Sequence, residues 1–371
     1  MNEFEMKSTF DLASYSESAK KEGFAVLHAG QDGKWTTVLS GPKKKLSRIP
    51  EKPGSLSHVG YMAYPNPKLK NQIPDARFYA YQNSITYNHK KGASLATLQK
   101  DYKSSGKLEQ SVTKSEYIKK IKEIKELLAA GEVYQINYAI RFRKKFEGSP
   151  YSLYLKLIHE NPTNFSVFLN CGDFQIVSNS PERLFKVEKG MIVTQPIKGT
   201  AAKLTANRSP LSALLNSEKE RAELDMITDL ERNDIGKICK YGTLKLSKER
   251  EVMELSNLYH TYSEVTGKLP RGILKADIVK AMFPGGSVTG CPKKRAMEYI
   301  EKLEKLPRNI FTGSIFYLGQ GIIDSSICIR TALIRNGYIE YWAGGGIVAD
   351  SDPEAEYAEC QLKASTFLGI L

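Results

Sequence analysis

Residues 178–203 read SNSPERLFKVEKGMIVTQPIKGTAAK. Residues 184–187 and 191–194 are β-prone, and Lys189-Gly190 between them is tight-turn chemistry, so the two arms are predicted to pair as a hairpin. With a two-residue loop, residue 182 faces residue 197; with one residue more, Glu182 faces Lys198 directly. Either register brings a carboxylate and an ammonium close together across the ladder. Both stand beside a proline, in SPER and PIKGT, where regular pairing ends and a pocket can open. Such a pair can share acid–base or nucleophilic work, because burial and proximity tune both groups. An edge-strand salt bridge satisfies the same pattern.

The chain has 371 residues, 41% of them hydrophobic, which is ample for a large core. No apolar run approaches the ~18 residues that cross a bilayer, so no membrane partner is expected. The start, MNEFEMKSTFDLAS, carries Glu3 and Glu5 and has no apolar region of the secretory kind. The five cysteines are scattered, without a C-x-x-C pair, so neither a disulfide framework nor a zinc site is expected and a reducing cytoplasm fits. The formal charge of +13 raises nucleic acid as a partner. However, lysines alternate with glutamates, as in KKIKEIKELL, and no basic-aromatic motif occurs. The excess reads as solvated faces that also attract an anionic substrate, not as a nucleic-acid footprint.

Residues 1–110 read as a smaller region of short strands and irregular links, with a loop around Lys43-Lys44-Lys45, Pro50, Pro53 and Gly54 and a turn at 88–92. Residues 100–115 are polar and read as a linker. From there the signals sharpen. Thr113 and Glu116 form a capping-box pattern ahead of a helical apolar repeat that stops at Gly131. In VYQINYAIRF, 133–142, Tyr134, Ile136, Tyr138 and Ile140 take one face; Gln135, Asn137 and Arg141 take the other, toward solvent by default or toward a polar pocket. Residues 217–240 read as a helix with Glu223 on its apolar stripe, held by a lysine or a metal. PGGSVTGCP, from Pro284, is a glycine-rich turn leading into a helix with Pro292 at its first position. It is neither a Walker A loop nor G-x-G-x-x-G. Arg330 stands inside the apolar run SSICIRTALI and needs an acidic partner, from the protein or from a ligand. The last helix starts at Asp352-Pro353, with Glu356 and Glu359 on one face of its first turns. That pair suits either the helix dipole or Mg²⁺.

QPIKGT, SPER, AGEVYQINYAIRF, DLERNDIG, HTYSEVTGKL, FPGGSVTGCPKKRAMEYIE, IRTA and AGGGIVADSDPEAEYAE together resemble the chorismate-utilising enzymes, from about residue 112 to 371. That family holds anthranilate synthase component I, aminodeoxychorismate synthase component I, and the isochorismate and salicylate synthases. The resemblance implies an α+β fold: two large, mostly antiparallel sheets packed as a sandwich with helices outside. Residues 1–110 form a reduced N-terminal part of that fold, and 111–371 the chorismate-binding catalytic domain.

The residue after Pro-Ile separates the branches. Lysine there, Lys198, is similar to the aminodeoxychorismate synthases; anthranilate synthases carry alanine. The isochorismate branch has a lysine base where this chain has Gln135. The resemblance implies that Glu182 protonates the departing 4-hydroxyl of chorismate, that Lys198 attacks C2, and that ammonia then attacks C4. It implies Mg²⁺ on Glu223 and Glu359, with Glu356 adjacent. It further implies substrate contacts from Gln135, Gly199, Thr200, Phe311, Arg330 and Gly344, Gly345 and Gly346, and an active-site histidine at His260, which alone reads as structural. The resemblance also implies that ammonia comes from a separate glutaminase subunit, since no Cys-His-Glu amidotransferase domain is expected in this chain. Ala201-Ala202-Lys203 replace the usual arginines, and Phe311 replaces a tyrosine. The leucine-leucine-glutamate-serine motif of tryptophan feedback is missing, so tryptophan inhibition is not expected.

Overall fold

The computed structural model describes residues 11–29, 35–51, 55–88, 100–202, 209–254, 258–319 and 321–371. Two ten-stranded sheets form the frame, and every strand pairing in them is antiparallel. The first sheet runs Gly290–Cys291, Gln135–Gly148, Tyr338–Ile347, Thr331–Arg335, Gln175–Ser180, Phe165–Asn170, Ala25–His28, Trp35–Leu39, Ile85–Asn88, with Tyr102–Gln110 also on Gln135–Gly148. The second runs Ile197–Ala202, Leu258–Lys268, Met191–Thr194, Arg183–Glu188, Ile322–Ile327, Ser314–Gly319, Ser57–Met62, Ala76–Tyr81, Lys44–Leu46, with Lys245–Glu254 also on Leu258–Lys268. The early strands are thus woven into both sheets.

Alternation along the strands gives each sheet two apolar faces. The inner faces meet in one core, where Ala25, Leu169 and Ile176 of the first sheet pack with Val59, Tyr79 and Ile315 of the second. Outside the first sheet lie Lys114–Ala129, Pro150–Glu160, Lys293–Glu304 and Pro353–Leu368, which bury Ile121, Tyr154, Ile300 and Phe367. Outside the second, Glu218–Gly236 and Lys275–Met282 bury Ile235 and Ile278. Each such side chain contributes about 1.5–3 kcal/mol. The expected sandwich is what forms.

Local signals hold where they are strong. Lys189 (φ +50°) and Gly190 (φ +74°) form the predicted two-residue turn, with Lys186 opposite Val193 and Glu188 opposite Met191. Thr113 and Glu116 close the capping box, and Asp352 caps the last helix by accepting from the Glu354 and Ala355 amides.

Several expectations need correction. Residues 100–115 are not a linker: Tyr102–Gln110 is a strand whose polar residues face out from a sheet edge. Lys44–Leu46 is an edge strand rather than loop. The helix read over 217–240 is Glu218–Gly236, and Pro292 caps its helix instead of opening it. The turn expected at 88–92 and the loop positions Pro53 and Gly54 fall largely or wholly outside the described residues.

Candidate active site

Two chain segments pass from one sheet to the other side by side. Gln175–Ser180 lies in the first sheet and Arg183–Glu188 in the second, so Pro181-Glu182 is a crossing. Ile322–Ile327 lies in the second and Thr331–Arg335 in the first, so Arg330 stands on the return crossing. Backbone hydrogen bonds tie the two together: the Asn179 amide donates to Arg330 O (2.9 Å) and the Ile327 amide to Glu182 O (3.1 Å). Arg330 therefore sits between strands, at φ +48°, not inside one as its apolar neighbours suggested.

Lys198 reaches this seam from a third strand. Its strand, Ile197–Ala202, pairs with Leu258–Lys268, not with the hairpin arm that carries Glu182. The expected facing of Glu182 and Lys198 across the hairpin ladder is therefore wrong. That ladder ends at Lys186 and Val193, and beyond it each arm takes another partner. Lys198 lies opposite Thr261, whose hydroxyl donates to Lys198 O (2.5 Å). The register then slips at Gly199, a bulge at φ +66°. A Cβ on Gly199 would stand 2.6 Å from a Leu214 methyl and 3.1 Å from a Glu220 carboxylate oxygen, and the positive φ itself favours glycine. The Lys198 ammonium lies 3.6 Å from Glu223 and acts electrostatically on Glu182.

Glu182 is buried, and its Oε1 accepts a 2.7 Å hydrogen bond from Ser287. Burial pushes its carboxyl up to about 7, against the pull of Ser287 and Lys198. Ser287 belongs to the glycine-rich segment read as a plain turn. The segment is instead built into the interior: Gly286 packs on Leu230 and Gly290 on the Gln135 carbonyl. Arg308, fully buried, fixes it by donating to Val288 O, Asn137 O and both oxygens of Glu304.

Carboxylates gather near Lys198. Glu220 and Glu223 come from Glu218–Gly236, and Glu356 and Glu359 from Pro353–Leu368. Lys219 lies 3.9 Å from Glu223, and Lys363 lies 2.7 Å from Glu359, which also feels Lys198 and Lys219. Burial raises the Glu220 carboxyl, and the Glu223 charge raises it further. Burial likewise raises Glu356, which accepts from Ser351 (2.7 Å). These four acids repel one another and supply only oxygen donors. Among the described residues no three His, Cys, Asp or Glu side chains converge as a metal cage. One or two protein carboxylates with the remaining positions left to water or substrate fit Mg²⁺ and do not fit zinc.

The remaining predicted residues frame the seam. His260, opposite Thr200, is buried with Nδ1 3.1 Å from Gly199 O; burial lowers its pKa and Arg330 lowers it further. The Arg330 guanidinium also faces Tyr341 electrostatically, and among the described residues no carboxylate or hydrogen bond holds it. Gln135 and Asn137 do not face solvent: Gln135 is 0% exposed, and neither carboxamide atom finds a partner among the described residues. A Cβ on Gly346 would lie 2.9 Å from that carboxamide, and one on Gly345 would lie 3.3 Å from Glu356. Gly344 lies against the backbone of Tyr138 and Ala139. Phe311 is stacked on Trp342 (5.7 Å, 9°) in a small apolar cluster next to Ile329. The Thr200 side chain lies outside the described residues.

Glu220, Ser287 and Glu231 were missed in the sequence. Glu220 was findable, because it lies one turn from Glu223 on the same helix face. Glu231 was findable too, four residues past Ile227 within DLERNDIG, whereas Ser287 lies in the quoted glycine-rich loop, whose burial its neighbours do not announce. Among the described residues no helix is long and apolar enough to cross a membrane.

The chain is 42% identical over 264 residues to aminodeoxychorismate synthase component 1 of Salmonella typhimurium, covering 70% of this chain and 58% of that one. It is 40% identical over 260 residues to anthranilate synthase component 1 of Aquifex aeolicus, covering 69% and 53%. It thus spans a little over half the length of these relatives. The crystal structure of anthranilate synthase component I from Streptococcus pneumoniae superposes with a TM-score of 0.76 at 26% identity, over 94% of this chain and 90% of that one. The family model for chorismate binding enzymes matches residues 19–369, well upstream of the resemblance read from about residue 112, and the chain belongs to that family.

Proposed function

We propose that this chain aminates chorismate at C4, as the chorismate-binding component of an aminodeoxychorismate synthase feeding p-aminobenzoate and folate synthesis. One observation supports the reading: the Lys198 ammonium lies 3.6 Å from Glu223 and acts electrostatically on the buried Glu182. Similarity alone does not separate the branches, since relatives of both kinds stand near 40% identity. An amine at position 198 does, because it supplies a nucleophile where the 2-aminating branch has alanine. Gln135, a neutral amide, offers no base for attack by water.

The residues divide the work as follows. Arg330 binds one substrate carboxylate. Glu223 and Glu359, with Glu356 adjacent, would hold Mg²⁺, which would supply positive charge to the other carboxylate. The neutral Lys198 amine forms a bond to C2, the ring double bonds shift, and the 4-hydroxyl leaves as water with the Glu182 proton. The new C–N bond returns a proton to Glu182. Ammonia, from a glutaminase subunit, then bonds to C4. The reverse shift breaks the C2–N bond, Glu182 hands its proton back to Lys198, and the new C4 ammonium returns a proton to Glu182, which restores the starting enzyme. The balance is chorismate plus ammonia giving 4-amino-4-deoxychorismate plus water.

The test is to incubate the chain with chorismate, Mg²⁺ and ammonium and identify the product by mass and absorbance. 4-Amino-4-deoxychorismate is expected. Anthranilate with pyruvate, isochorismate, salicylate or no turnover overturns the reading.

A further inference from the structure

Arg330 is strained, and its neighbours show what holds it so. At φ +48° it occupies the left-handed region, which a residue with a Cβ rarely adopts and keeps only where the surroundings over-determine it. Hydrogen bonds fix the backbone on both sides of it. The Thr331 hydroxyl donates to Ile329 O (2.9 Å), reaching back across Arg330. With its one proton spent there, Thr331 Oγ1 accepts from the Ser178 hydroxyl at 2.7 Å. The Asn179 amide donates to Arg330 O (2.9 Å). Ser178 lies directly opposite Thr331 as the last pair of its ladder, and the two are 0% and 1% exposed, so water does not compete for these hydroxyls. Asn179 is itself fixed: its Oδ1 accepts from Ser166 (2.7 Å) and its Nδ2 donates to Asn161 O (2.8 Å). A rigid backbone thus carries a guanidinium that no carboxylate or hydrogen bond holds among the described residues.

We propose that Ser178 and Thr331 are positioning residues for chorismate binding: their paired hydroxyls hold Arg330 in its left-handed conformation and so aim its guanidinium at a substrate carboxylate. A guanidinium grips a carboxylate through two parallel bonds, which tolerate little rotation, so its direction matters as much as its charge. With no protein partner to steer the side chain, that direction is left to the backbone at 330. Losing the hydroxyl that spans it lets the residue relax toward the ordinary region and turns the guanidinium away. The proposal rests on the reading of Arg330 as a substrate ligand.

The experiment is a double-mutant cycle in KM for chorismate, at saturating ammonium and Mg²⁺, over the wild type, Thr331→Val, Arg330→Ala and the double variant. Valine keeps the branched shape but drops both hydroxyl bonds. Thr331→Val is expected to raise KM about two- to tenfold in the wild-type background, with kcat changed far less. In the Arg330→Ala background it is expected to leave KM where it was, because no guanidinium remains to be misaimed. Thr331→Ser, which keeps the hydroxyl, is expected to restore the wild-type KM. An equal effect in both backgrounds means that the hydroxyl serves only the fold, and overturns the proposal. So does no effect in either, or an Arg330→Ala variant with unchanged KM. If Thr331→Val does not fold, Ser178→Ala takes its place in the same cycle, since it leaves the Thr331 bond to Ile329 O intact. The product is identified in the same assays. A non-additive cycle with a product other than 4-amino-4-deoxychorismate upholds the positioning role and removes only the 4-amination reading.

Discussion

The Lys198 ammonium lies 3.6 Å from a Glu223 carboxylate oxygen, with both side chains about one-sixth exposed. The candidate nucleophile is thus paired with the acids offered to the metal, while its influence on Glu182 is electrostatic only. A partly screened pair of this kind is worth about 1 kcal/mol or less, so it is easily exchanged when a ligand arrives.

Glu223→Gln is expected to weaken Mg²⁺ dependence first. Removing one of few protein carboxylates around a hard cation should raise the Mg²⁺ concentration for half-maximal rate by about tenfold or more. Titrating activity against Mg²⁺, with calorimetry of Mg²⁺ binding to the chain alone, checks this. An unchanged half-saturation point removes Glu223 from the metal site.

Gly199→Ala and Gly190→Ala separate conformational strain from crowding. Both residues have positive φ, but a Cβ at 190 meets nothing within 4 Å, whereas at 199 it meets Leu214 at 2.6 Å. Alanine at 190 is expected to cost roughly 1 kcal/mol in urea unfolding. Alanine at 199 should cost more, about 1–3 kcal/mol, and should also lower turnover, because the bulge that aims Lys198 must move.

Glu182 makes stability depend on pH in a direction set by its shift. Its carboxyl rises from the ordinary 4.5 to about 7 in the folded chain. The folded state holds the proton after the unfolded chain has released it, so this contribution is present below about pH 4.5 and lost as pH rises through 7. The size is roughly 3 kcal/mol. Glu182→Gln should therefore gain on the wild type between pH 5 and pH 7 in denaturant melts, then level off. A difference that stays flat over that range contradicts the buried, uncompensated carboxyl.

The parts legible in the sequence were those fixed within a few residues. Lys189-Gly190, the Thr113–Glu116 box and Asp352-Pro353 each specify a backbone path with their neighbours alone, and each stands where it was read. The hidden parts depend on distant partners. Lys198 is aimed by a register with Thr261 and His260, some sixty residues on, which nothing in QPIKGT announces. Tyr102–Gln110 looked like a linker because an edge strand with polar residues outward lacks apolar alternation. Arg330 looked like part of one strand because both flanking strands are apolar, and the seam between two sheets leaves no mark on composition. The acid paired with Lys198 is Glu223, not the Glu182 that the hairpin reading put opposite it, because the ladder expected to join those two does not form.

Arg330 lacks a protein partner among the described residues, so its loss should tell on substrate and not on folding. Arg330→Ala is expected to raise KM for chorismate by about tenfold to a hundredfold, the range of a charged hydrogen bond, with little change in the unfolding midpoint. Arg330→Lys should recover only part of this, since an ammonium cannot make the two-pronged contact. Steady-state kinetics with a urea melt of each variant decides it. A large loss of stability would mean the guanidinium is structural.

Lys198→Ala tests the covalent route most directly. If the amine forms a bond to C2, the variant should lose 4-amination by more than about a hundredfold even at saturating ammonium, because the nucleophile of that path is gone. The wild type mixed with chorismate and Mg²⁺ without ammonia should show, by intact-protein mass spectrometry, an adduct of chorismate less water that is absent from the variant. Lys198→Arg is the sharper control. It keeps the charge next to Glu223 but cannot supply a neutral amine, so it should fail as completely as alanine while folding at least as well. If arginine supported a substantial rate, the lysine would be acting as a positive charge toward the bound dianion, and the nucleophilic role would fall.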